Sequence, residues 1–99
     1  MKLGQIVTAL GCEVLSGQQR LDLEVQTGFA ADLMSDVLAS ARRGDLLITG
    51  LSSAQSVHTA EVADMGAILL VGGRRPAEDA LLIARRRDLP VLLTSRGMF

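Results

Sequence analysis

Three short apolar runs divide the second half of this chain at nearly equal intervals. They begin at Leu46, Ile68 and Val91, about 22 residues apart. A run such as Leu46, Leu47, Ile48 does not alternate with polar residues, so it reads as a strand covered on both faces, as in parallel sheets. Each interval has room for one helix. The first is expected from Ser53 to about Met65, and the second from Pro76 to about Arg87 with Glu78 and Asp79 in its first turn and arginines in its last. Strand, helix and strand at this spacing imply right-handed crossovers between parallel neighbours. The expected core is therefore Leu46–Thr49, Ala67–Val71 and Val91–Thr94, side by side.

The residues before the first run read as loop, helix and turn. After Asp32, expected to cap the helix, Met34, Val37, Leu38 and Ala41 recur at helical spacing, and Arg42, Arg43 and Gly44 mark its end. Gly28, Ala30 and Ala31 are expected in a loop. Nearer the start, Leu3, Ile6, Val7 and Leu10 form a short amphipathic helix closed by Gly11, and Cys12–Leu15 reads as a strand. Beyond a polar turn at Ser16–Gln19, Leu21, Leu23 and Val25 alternate with Asp22 and Glu24. That pattern predicts a half-exposed strand, paired with the first as a hairpin or edge pair.

Ninety-nine residues make one domain, here taken as 1–99. With 48% hydrophobic residues and only two aromatics, the core must be built from aliphatic side chains. So much aliphatic surface on a small domain favours self-association as a homodimer. A net charge of -1 and the lack of an aromatic platform argue against nucleic acid as a partner. No apolar run reaches the length of a membrane span, and the start lacks a signal-peptide core, so a cytoplasmic location is expected.

In parallel sheets, ligands collect beyond the carboxyl ends of the strands, where helix starts present unsatisfied N–H groups. Those ends carry Ser52 and Ser53, then Gly72, Gly73, Arg74 and Arg75, then Thr94. Such a rim suits a phosphate or carboxylate. The plainer reading makes the glycines turn residues, the serines caps and the arginines a solvated edge.

Catalysis finds little support in the residue inventory. GGRRPAED lacks the phosphate-loop pattern with its lysine. His58 is the one histidine and Cys12 the one cysteine, so no metal set and no cofactor are expected. Cys12 is expected to be a small buried hydrophobe.

The segments AILLVGGRRP, GFAADLMSDVL and GDLLITG, with the opening LGQIVTALGCEVLSG, together resemble the DRTGG domain family. The resemblance spans nearly the whole chain. It implies a small α/β fold like the N-terminal domain of HPr kinase, and a regulatory or architectural role without catalysis, often at a dimer interface. Such domains accompany CBS domains in regulated pyrophosphatases and occur in phosphotransacetylases, so a partner enzyme is implied. The paired glycines of the family fit Gly72 and Gly73. The loop after the Leu46 run, GLSSAQS, departs from it where some members carry an Asp-Arg pair, which weakens the case for an anion there. The chain stops at Phe99, where many relatives continue into another helix. Two functions follow from this reading. One is a non-enzymatic regulatory or interaction domain beside a metabolic enzyme; the other is a module binding a nucleotide or phosphorylated metabolite at the strand ends.

Overall fold

In the computed structural model of the protein, which describes residues 1–97, the three apolar runs stand side by side as parallel strands. They are β3 (Leu46–Thr49), β4 (Ala67–Leu70) and β5 (Val91–Leu93), with Leu47 opposite Ile68 and Ile68 opposite Val91. Two further strands extend the sheet: β1 (Glu13–Ser16), antiparallel to β5, and β2 (Gly28–Ala30), parallel to β3. The order across the sheet is β1-β5-β4-β3-β2.

Successive side chains of a strand point to opposite faces, and here each face has its own core. Leu47, Ile68, Leu70, Val91 and Leu93 meet Val37, Val57, Ala60, Ala80, Leu81 and Ala84, which come from α2 (Met34–Ser40), α3 (Ala54–Val62) and α4 (Glu78–Arg86). Leu46, Ala67, Leu69, Val71 and Leu92 meet Leu3 and Ile6 of α1 (Leu3–Leu10), together with Val25. Burial on both sides explains why these runs do not alternate. The small residues of α3 let it lie close to the sheet, and Ala60 is fully buried.

Several expectations are corrected. Gly28–Ala30 is a strand, not a loop; its three small or half-exposed residues give no hydrophobic signature. Leu21–Val25 is not a strand, and β1 pairs with β5 instead of with it. The alternation there has another cause: Val25 is buried and Leu21 and Leu23 pack on the α1 core, while the backbone meets the chain start through one Lys2–Glu24 bridge. The Leu3 and Gly4 N–H groups donate to the Leu23 and Leu21 carbonyls at 3.0 and 2.8 Å, so this segment supports the first turn of α1.

Asp32 does not cap α2. Leu33 holds that position without a side-chain bond. The helix ends at Ser40, and Ala41 leaves in an extended conformation, so Gly44 serves the following turn and not the helix stop. Leu38, expected on the buried face, is 56% exposed. The helix expected from Pro76 begins at Glu78, and the one from Ser53 ends at Val62, short of Met65. The expected Ser53 cap is present, its Oγ accepting the Ser56 N–H at 3.3 Å. Cys12 precedes β1 and is half-buried, not interior; burial pushes its thiol pKa up.

At the far edge, β1 leaves the sheet through Gly17, whose φ of 75° lies in the left-handed region. A Cβ there would stand 2.6 Å from the Pro90 Cα, so the chain passes close against the entry to β5.

Candidate functional site

Parallel strands place their carboxyl ends together, and two buried threonines close them. Thr49 lies just inside the end of β3, and its hydroxyl donates to Asp32 Oδ1 at 2.9 Å while accepting the Leu51 N–H at 3.1 Å. Thr94 follows β5; its hydroxyl donates to the Leu10 carbonyl at 3.3 Å and accepts the Arg96 N–H at 3.2 Å. Each hydroxyl thus turns the chain out of its strand and ties the turn to a neighbouring element. Asp32 Oδ1 also accepts the Gly50 N–H at 2.9 Å. The residue that sequence assigns to a helix cap instead anchors the loop after β3.

The same loops consume much of their own donor capacity. The Gly72 N–H donates to the Arg96 carbonyl at 2.7 Å, and the Gly73 N–H donates to the Thr94 carbonyl at 2.9 Å. Gly73, expected at a rim for an anion, therefore has no free N–H to offer there: the group laces the β4 loop to the β5 loop. Ser53 starts α3, and Ser56 reinforces that turn, its hydroxyl bonded to the Leu51 and Ser53 carbonyls at 2.9 and 2.7 Å. Arg75 turns toward β1, where it meets Glu13 at 2.7 Å. That hydrogen bond and charge raise the pKa of the guanidinium above its ordinary value.

Arg74 differs from Arg75. It is exposed beside the two glycines and makes no ion pair or side-chain hydrogen bond among the described residues. Ser52 is half-buried and Ser53 exposed on the neighbouring loop. Behind the rim, on the α1 face, lies a hollow of about 300 Å³ lined by Leu10, Ile48, Leu69, Val71, Thr94 and Arg96, with Gly97 at its edge. The rim thus carries the Arg74 guanidinium, the start of α3 and, bonded to Thr49 and Gly50, the Asp32 carboxylate. The chemistry open to it is weak phosphate recognition, anchored by one cation.

A second cleft, not foreseen from sequence, lies under the opposite ends of the strands and has a volume of about 590 Å³. Its lining comes from four separate segments, including Arg20, Arg43, Glu61 and Arg87. No local motif announces such a site. Among the described residues no group of three or more histidine, cysteine or acidic side chains is placed to hold a metal ion, and no helix is long and apolar enough to cross a membrane.

The fold has a solved counterpart. The crystal structure of the CBS and DRTGG domains of the regulatory region of Clostridium perfringens pyrophosphatase, complexed with its activator diadenosine tetraphosphate, matches with a TM-score of 0.82 at 18% identity. The match covers 99% of this chain and 43% of that one, so this chain spans less than half of that region. No curated protein matches the sequence. The profile of the DRTGG domain matches residues 5–99. With that match over almost the whole length and the fold in agreement, the chain belongs to the DRTGG domain family.

Proposed function

We propose that this protein is a non-catalytic regulatory and interaction domain that works as a homodimer beside a partner metabolic enzyme. The observation that carries the reading is the likeness, over 99% of the chain, to part of a pyrophosphatase regulatory region that holds a DRTGG domain. Two features of the chain itself support it. The rim loops bond largely to one another, leaving a shaped surface and not an open set of donors. Leu33, Leu38 and Leu51 stand 61%, 56% and 38% exposed on and around α2 and the loop after β3, apolar area that a second protein surface would cover.

Light scattering after size exclusion at about 50 μM, well above the micromolar constants of weak specific dimers, tests the association. The expected mass is that of two chains. A mass of 10.5 kDa, one chain, overturns the homodimer.

The activator in the related regulatory region favours a second reading, in which the rim receives the phosphate of a nucleotide or phosphorylated metabolite. Ser52, Ser53, Gly72, Gly73, Arg74, Arg75 and Thr94 are the residues proposed for it. Arg74 is the anchor, and the start of α3 adds backbone donors. The glycines and Thr94 shape the loop, and Arg75 contributes only by leaving Glu13. Titration of adenine nucleotides, acetyl phosphate and inorganic phosphate into labelled protein distinguishes the two readings. Amide shifts confined to these loops and lost in Arg74→Ala support binding; no shift at millimolar ligand leaves the interaction domain.

A further inference from the structure

The sheet has two edges, and only one of them is closed off. At the β1 edge a bulge between Val14 and Ser16 breaks the register, Gln18 Nε2 donates to the Val14 carbonyl at 3.3 Å, and the charged Glu13 is paired with Arg75. Bulges and charges of this kind keep an edge strand from pairing further. The β2 edge has neither. Gly28, Phe29 and Ala30 hold an unbroken register with β3 and carry no charge, and Gly28 and Ala30 are exposed.

The free groups of β2 follow from its bonds. The Leu46 N–H donates to the Thr27 carbonyl at 2.9 Å, and the Ala31 N–H to the Ile48 carbonyl at 3.0 Å. In a parallel ladder alternate residues turn both backbone groups to the same neighbour, so Thr27, Phe29 and Ala31 serve β3. Gly28 and Ala30 turn their N–H and carbonyl groups the other way, and β2 is the last strand of the sheet on that side. This spacing is its own complement. In an antiparallel pair, the residues that exchange both bonds are again alternate ones. A second β2 running the other way, with Phe29 at the two-fold axis, sets Gly28 of each copy against Ala30 of the other and gives every outward group a partner.

The charges on α2 suit the same axis. An axis normal to the sheet puts both α2 helices on one face, side by side and antiparallel. Asp36 lies in the first turn of α2 and Arg42 just past its end; both are exposed, and neither makes an ion pair among the described residues. Antiparallel helices bring each Asp36 toward the end that carries the other copy's Arg42, whereas parallel ones would set like charges together. Ser35, Ala39 and Ser40, exposed on the same helix, are small enough to let a second helix come close.

Given the homodimer reading on which this rests, we propose that two copies of the chain join edge to edge through β2, with Phe29 of each against Phe29 of the other, so that one antiparallel seam makes the two sheets continuous. Phe29 already packs in part on the helix-side core, so the aromatic pair at the seam extends that core from one copy to the next.

Amide hydrogen exchange of the labelled chain at about 500 μM reads the seam. In one chain alone the Gly28 and Ala30 N–H groups face water. In the dimer both are bonded, and their exchange should be slowed about tenfold or more against the rates of an unstructured chain. Ala30→Pro removes an outward donor and sets a ring against the second strand, at a position that a single chain tolerates because the N–H faces solvent on an edge strand. Its mass by light scattering at about 50 μM should be that of one chain, with the circular dichroism of the parent protein and with fast exchange at Gly28. If Ala30→Pro does not fold, the exchange of the parent protein decides. Leu82→Ser, at a position 50% exposed on α4, should keep the two-chain mass, and a one-chain mass there would move the seam to α4. A two-chain parent whose Gly28 and Ala30 amides exchange at near the unstructured rate overturns the seam and leaves the homodimer to another surface, as does a two-chain mass for folded Ala30→Pro. A one-chain mass for the parent overturns both, and leaves the β2 edge to a strand of a different protein.

Discussion

Removal of the Asp32 carboxylate tests how the rim is built. Asp32→Ala deletes an acceptor that serves two donors, the Thr49 hydroxyl and the Gly50 N–H, each at 2.9 Å. Gly50 is half-exposed, so water replaces the carboxylate there and the loss is small. The Thr49 side chain has no such relief, since the residue is fully buried, and a buried donor without an acceptor costs about 1–3 kcal/mol. A lost helix cap would cost about 0.5–2 kcal/mol, so the single substitution does not separate the two roles. A double-mutant cycle with Thr49→Val does. If the two side chains are bonded, removing the hydroxyl also removes the penalty for losing its acceptor, and the double variant should lose about 1–2 kcal/mol less than the sum of the single ones. The Leu51 N–H, which also loses Thr49 as its acceptor, is affected equally in both backgrounds and cancels. Urea unfolding followed by circular dichroism, with linear extrapolation, measures all four stabilities. Additivity within about 0.5 kcal/mol would refute the clamp and return Asp32 to its helix.

The remaining predictions concern the core and the cysteine. Ile68→Asp places a carboxylate on the central strand at a site 1% exposed, at a cost of several kcal/mol against a total of about 5–15. The cooperative unfolding transition should vanish, and a folded, soluble variant would sink the assignment of β4. Cys12, its thiol pKa raised by burial, should be alkylated by iodoacetamide at pH 8 more slowly than free cysteine, since less of it is thiolate. Stability from this group is present below the ordinary thiol pKa and declines as pH rises above it, so alkaline pH should destabilise the protein less in Cys12→Ser. Equal alkylation rates would show that the thiol is more open than its position implies.

The strands at the centre of the sheet were legible because burial on two faces writes itself into sequence as an uninterrupted apolar run. Leu46–Ile48, Ile68–Val71 and Val91–Leu93 carry that mark, and the βα spacing between them fixes their direction. The edge strands do not carry it. Gly28–Ala30 is short and half-solvated, and only its pairing with Leu46–Ile48 makes it a strand. The alternation of Leu21, Leu23 and Val25 is real, but it reports a segment lying over one core and not a ladder. At the rim, the strand ends were found by chain order alone. Which donors remain for a ligand depends on bonds such as Gly72 N–H to the Arg96 carbonyl, between residues far apart in the chain, and no local pattern encodes those. The cleft around Glu61 was missed for the same reason.

The pairing of β1 with β5 joins the first strand to the last, Glu13 opposite Leu93. During synthesis β1 must therefore wait, without its partner, until Val91–Leu93 has left the ribosome. Its closure is the step with the greatest loop entropy in the molecule, and contacts of such long range slow folding. Until β5 is in place, the edge of β4 at Ile68 and the buried face of Leu15 stay open to other chains. The interval before β5 is added is thus when this domain is most exposed to mispairing.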